Sequence, residues 1–484
     1  MLSVRMSPPP ADSAPTTTAP TAAPNAADTA AAAAGPLLRR CLGPLAITAQ
    51  AVATVGLTIT AVINIPEALA AGSGSATWLC YAIALLAIVL VSETLVLFRE
   101  HPARASGIGG YVAAGLGPVP TALACWALLL GYGSVFVGCL AFFSAYLAGV
   151  LQPLGLPLPP LLGFLVGGGL CLELARRDVR LSTTTMLITE ALSVLVVMGL
   201  CGLVLLAGGG AAAADPAALV TDLRLDGQLQ AGLMIAVLSF IGFESAANLG
   251  EEATNPQRAV PMALRWSVLL AGAIFLGWAL VLAEGLSWLP PALRGGVDPI
   301  GALAQRLGQP LAGHLVHLGA TLCLFGTCLG SLTALGRLGY TLAGKGVLPR
   351  PLQAVHPRFR TPSIALAWTA LLPLLLGSAL VLAGRKPQAV YADCGGFAVL
   401  AFLLVYGMVA VSALRRSLPA VSARRRWLVA GACLAAIIAV SLGYLSGLIH
   451  GQELLLWTFL VCMVFGWLLV RRQALPPQLP SHGA

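Results

Sequence analysis

Apolar residues in this chain run in long blocks, such as Trp78 to Phe98 and Ile364 to Leu382. They do not recur at the period of about 3.6 or 2 that gives a soluble helix or strand one buried face. Blocks of about 20 residues are long enough to cross a hydrocarbon layer as helices. Twelve are read along the chain, at 43–70, 76–98, 119–150, 158–174, 183–207, 229–249, 263–287, 309–340, 363–383, 389–413, 427–449 and 452–470. The pattern predicts an all-α polytopic membrane protein with about 12 transmembrane helices. Residues 1–40 are mostly Pro, Ala, Ser and Thr, with the run Ala30 to Ala34 and no leucine-rich signal-peptide core. They are expected to form a disordered tail. Residues 41–472 form the membrane domain, and 473–484 a short second tail.

Composition agrees with that solvent. Hydrophobic residues make up 58% of the 484 and charged residues 9%, with a mean hydropathy of +0.90, far from the roughly 25% charged residues of a soluble domain. The formal net charge is +9, which raises nucleic acid as a partner. However, the basic residues sit in short clusters between apolar blocks and do not interleave with aromatics, so a nucleic-acid role is set aside. Their distribution instead reports orientation: 22 of the 27 Lys and Arg fall on the side that carries both termini, and five on the other. Cytoplasmic loops carry the basic excess, so both termini are expected in the cytoplasm and the protein in the plasma (inner) membrane. Most of the 11 cysteines lie inside apolar blocks, for example Cys80, Cys139 and Cys462. There they pack as small hydrophobes and imply neither a disulfide framework nor a metal site. His314 and His317 share a helix face without a third ligand, and no cofactor motif occurs.

Three polar interruptions carry chemistry. In Leu238 to Pro261, LSFIGFESAANLGEEATNPQRAVP, Gly242 stands between Phe240 and Phe243 with Glu244 directly after. A carboxylate at membrane depth faces a cavity or partner and marks a substrate or proton path. A helix broken at Gly242 would offer freed amides and a positive dipole end to Glu244 or to a bound anion. The bland alternative is a packing glycine with Glu244 hydrogen-bonded inside the bundle. Arg99 to Pro118, REHPARASGIGGYVAAGLGP, is too polar and short to cross, and is expected along the cytoplasmic mouth. Cys323 to Pro362 carries Gly326, Gly330, Ser331 and Gly336 before a basic loop with Lys345, Arg350, Arg358 and Arg360. Small residues allow close helix approach, and the basic ones read as positive-inside anchors.

In this order, GFESAANLGEEATNPQRAVP, SGIGGYVAAGLGP and LGRLGYTLAGKGVLPRPLQAVHPRFRTP resemble the amino acid/polyamine/organocation permease superfamily over about residues 40–470. The resemblance implies two inverted five-helix repeats with broken helices 1 and 6 and two peripheral helices. It also implies a substrate held at the breaks and walled by helices 3 and 8. Many relatives carry Gly-Ser-Gly shortly before a proline in helix 1, whereas here Ile59, Thr60 and Ala61 precede Pro66. Gly56, Thr58 and Thr60 remain as candidates for an unwound turn. Alternatively the ligand is an amine or amino alcohol, whose cation Glu244 would suit. With Phe240, Gly242, Phe243 and Glu244, these residues are the candidate substrate site. The two phenylalanines are candidates for closing over a cation.

The same resemblance implies secondary active uptake of amino acids or small amines by alternating access, with a proton as the expected coupling ion and no enzymatic chemistry. Exchange and a transport-dead sensor are the alternatives. The fifth-helix lysine of some relatives is missing, since Lys345 and Lys386 both lie in loops. Glu190, in the fifth span, is either a proton site or a bundle-facing group paired with an arginine, and together with Glu244 it is a coupling candidate. Glu67 and Glu93, near span ends, are expected to be interfacial.

Overall fold

The computed structural model describes residues 42–100, 107–177, 179–208, 227–250, 252–416, 418, 421–449 and 452–474. The expected tail over 1–40, and all but the first two residues of the tail at 473–484, lie outside them. Among the described residues, eleven helices are long and apolar enough to cross a membrane by length and composition. The first span runs Pro44–Ser73, the second Thr77–Val96, the third Pro118–Leu151 and the fifth Val179–Gly208. The sixth comprises Gly227–Phe240 and Ser245–Asn248, the seventh Pro256–Ser287 and the eighth Pro310–Gly344. Then come Ser363–Leu382, Pro387–Arg415, Ala423–Ile449 and Glu453–Ala474, the ninth to twelfth. The fourth, Pro160–Arg177, is 18 residues long and ends in Glu173, Arg176 and Arg177, which makes it the most polar of the set. The polar segment after the second span forms a short helix, Gly107–Leu116, whose Tyr111 carbonyl accepts from Ser412 of the tenth span at 2.6 Å.

Burial orders the spans into a centre and a rim. The apolar stretches of the first and eighth spans are 83% buried, against 22% and 17% for the eleventh and twelfth. Spans 1–5 and 6–10 form the two inverted repeats, and the last two helices are peripheral. The small residues of the eighth span explain its central place. A side chain at Gly330 would collide with Thr54 of the first span, and one at Gly336 with Leu366 of the ninth. Outward-facing Leu206, Leu372, Leu454 and Trp457 are exposed, as expected of surfaces solvated by lipid tails.

The first helix of each repeat is interrupted. Gly56 adopts φ +71° between Pro44–Val55 and the helix that resumes at Leu57, which then widens into π-helical turns over Thr60–Asn64 and Leu69–Ser73. Gly242 adopts φ +120° in the four-residue turn between the halves of the sixth span. Both conformations favour glycine. Gly242 also packs directly on the first span, because a Cβ there would lie 2.7 Å from the Thr54 carbonyl. The two breaks therefore touch at the centre of the bundle.

Candidate functional site

Each break frees backbone groups that an intact helix would pair, and a buried carboxylate answers each. At the sixth span Glu244 is fully buried. Its Oε2 accepts the Gly242 amide at 3.1 Å and the Tyr406 hydroxyl at 2.8 Å, and its Oε1 accepts the Tyr132 hydroxyl at 2.6 Å. Tyr132 and Tyr406 come from the third and tenth spans, so Glu244 ties its turn to two neighbouring helices. Three donors on one carboxylate offset much of the penalty of burying it. At the first span the carboxylate comes from the fifth: Glu190 Oε1 accepts the Leu57 amide at 2.6 Å. Its Oε2 is buried without a hydrogen-bond partner among the described residues. Among the described residues the groups that meet Glu190 are thus the amides at the start of the resumed helix and the Cys323 thiol, not an arginine.

Beside the breaks lies a cavity of about 20 Å³, room for a single water-sized body. Its polar lining is Thr54, Asn64, Ser134, Thr327 and Tyr391, and much of the rest is aliphatic, including Val55, Ile59, Val135, Leu238 and Ile241. The residues named from sequence lie immediately beside this lining. Gly56 follows Val55, Thr58 and Thr60 flank Ile59, and Phe240 and Gly242 flank Ile241. None of them, nor Phe243 or Glu244, borders the cavity itself. Phe240 packs edge-on against Phe275 with ring centroids 5.1 Å apart, and Phe243 lies against Tyr406. The Thr58 and Thr60 hydroxyls are buried without a partner among the described residues.

A larger cavity of about 250 Å³ opens one helical turn further on, lined in part by Ile63, Pro66, Glu67, Arg294 and Gln388. A neutral hydrogen-bonded chain borders the smaller one. Tyr391 donates to Asn64 Oδ1 at 2.9 Å, and the Asn64 amide donates to Ser239 at 2.9 Å. The opposite end of the bundle is closed by charge. Arg337 Nη2 donates to both oxygens of Glu252 at 2.8 and 2.6 Å, and both side chains are nearly inaccessible. Backbone bonds from Leu42 to Glu252 (3.0 Å) and from Thr254 to Leu42 (2.9 Å) fasten the start of the first span to the same loop. Arg337 lies inside the eighth span and was not among the residues singled out from sequence. Its partner is 85 residues away in the chain, and no local pattern signals the pair. Glu93 likewise sits in an ion pair, with Arg265 at 2.5 Å.

A family model described as amino acid permease matches residues 45–470. The chain belongs to the amino acid permease family. This permease is 24% identical over 353 residues to the branched-chain amino acid permease BcaP of Bacillus subtilis, covering 70% of this chain and 75% of that one. It is 33% identical over 153 residues to mouse cationic amino acid transporter 4, covering 30% of this chain and 23% of that protein. An uncharacterized transporter of Mycobacterium tuberculosis is 31% identical over 225 residues, about half the length of each chain (46% and 48%). Among solved structures, MhsT in complex with L-phenylalanine superposes with a TM-score of 0.55 at 14% identity, over 85% of this permease and all of that chain. That likeness is one of fold. It agrees with two repeats whose leading helices are broken where they meet.

Proposed function

We propose that this permease is a secondary active transporter of amino acids that works by alternating access, with the substrate's charged ends held at the two helix breaks. The observation that carries this reading is the contact of Gly242 with the Thr54 carbonyl, which brings the free ends of four half-helices to one small cavity. Half-helix N-termini attract a carboxylate and C-terminal carbonyls an ammonium. Gly56, Thr58 and Thr60 on one side, and Phe240 to Glu244 on the other, shape those ends from just outside the cavity. A cavity of this size admits no amino acid until the flanking halves move. Gating by movement is what alternating access requires.

Protons are the proposed coupling ion, taken up at Glu190. Its unpaired oxygen provides the place for a proton, and its other oxygen holds the amide at which the first span resumes. Neutralising the carboxylate weakens that charge-assisted bond and so links protonation to the conformation of the break. With both termini in the cytoplasm of a bacterial-type inner membrane, the Arg337–Glu252 clasp is the cytoplasmic gate and the 250 Å³ cavity is the outer vestibule. The experiment is uptake of labelled amino acids and amines into proteoliposomes under an imposed proton or sodium gradient, with Glu190→Gln beside the wild type. Accumulation that follows the proton gradient and is lost in Glu190→Gln is the expected result. Sodium-driven accumulation would transfer coupling elsewhere. Absence of flux, even after counter-substrate loading, would defeat the transport reading and favour a sensor.

A further inference from the structure

The chemistry of the central cavity restricts the substrate's side chain, given the amino acid site proposed above. Its lining contains no Asp, Glu, Lys, Arg or His. None of the buried carboxylates around it borders it. Glu244 is saturated by Tyr132, Tyr406 and the Gly242 amide, Glu190 holds the Leu57 amide, and Glu67 lines the other cavity. The polar groups in the lining are neutral, and most of their hydrogens are already spent. Thr54 donates to the Gln50 carbonyl, Ser134 to Leu130, Thr327 to Ala53, and Tyr391 to Asn64. The remaining wall is largely hydrocarbon.

We propose that the substrate is a zwitterionic amino acid with an uncharged, mainly aliphatic side chain, and that cationic and anionic amino acids are excluded because the cavity holds no counter-charge. The helix ends answer one ammonium and one carboxylate. A third charge on the side chain would surrender its hydration with nothing opposite to replace it. Ser134, half-buried on the third span, is the wall position at which a charge would change this.

The test is competition for labelled leucine on the purified full-length chain, using norleucine, lysine and glutamate. Norleucine and lysine share their linear hydrocarbon and differ in the terminal ammonium. Norleucine is expected to compete nearly as well as leucine, with lysine and glutamate weaker by at least about 100-fold. Lysine competing as well as norleucine overturns the proposal, as does failure of folded protein to bind leucine and norleucine. Ser134→Asp is expected to raise lysine relative to norleucine by about tenfold or more. A folded Ser134→Asp protein with an unchanged ratio overturns the assignment of that wall to the side chain. Binding needs no flux, so selective leucine binding by a protein that transports nothing defeats the transport reading and supports this one.

Discussion

The two helix breaks use the same device in unequal ways. In the sixth span the glycine and the carboxylate are two residues apart, and Tyr132 and Tyr406 occupy what the Gly242 amide leaves free. In the first span the carboxylate is borrowed from Glu190, 133 residues away, and among the described residues its second oxygen has no backbone or hydroxyl donor, with only the weakly donating Cys323 thiol beside the carboxylate. A saturated carboxylate fixes its surroundings, whereas a half-paired one can change its bonding without a large rearrangement. In the proposed transport cycle the sixth-span break is therefore the anchor and the first-span break the responsive element.

The largest test of that division is Gly242→Ala. A positive φ and a Cβ 2.7 Å from the Thr54 carbonyl together cost about 3 kcal/mol or more. Uptake is expected to disappear, with thermal stability in detergent clearly reduced. Glu244→Ala is of comparable size, since it strands two buried hydroxyls and an amide at about 1–3 kcal/mol each. Wild-type melting behaviour in that variant would show that the sixth-span break is not an anchor. Glu190→Gln keeps an acceptor for the Leu57 amide and removes the ionisable group. Exchange of amino acid across the membrane is expected to survive while gradient-driven accumulation fails, and unaltered accumulation would sink the assignment of Glu190. Tyr406→Phe removes one of three donors and is expected to cost about 1–2 kcal/mol, read as a modest shift in melting temperature. Thr60→Val is the smallest. It replaces a buried hydroxyl that has no partner among the described residues by a methyl group and should leave stability unchanged or raise it by up to about 1 kcal/mol.

Much of the bundle was legible because its information is local. Apolar blocks bounded by Arg, Pro and Gly mark the spans, and Gly242 beside Glu244 marks a break in an otherwise apolar helix. The break in the first span falls at Gly56, ahead of the Ile59 to Ala61 positions where relatives carry their glycines, because only a glycine there tolerates the left-handed turn. What could not be read was pairing across the bundle. Nothing near Tyr132, Tyr406 or Arg337 in the chain hints at Glu244 or Glu252. The cavity lining was displaced by one residue for a related reason. A residue at a break orients its backbone to the gap, while its neighbour's side chain fills the wall, and that geometry has no sequence signature.

The backbone pairing of Leu42 with the loop at Glu252 to Thr254 joins the start of the first span directly to the loop that carries the Arg337–Glu252 pair, the proposed gate. Mechanically, Leu42 is a pull-point. Tension applied there peels a two-rung ladder open one rung at a time, a low-force geometry, whereas tension from beyond the twelfth span reaches the proposed gate only by dragging a whole helix. A bulky cargo fused close to Leu42 should therefore slow closure of that gate far more than the same cargo attached after residue 474.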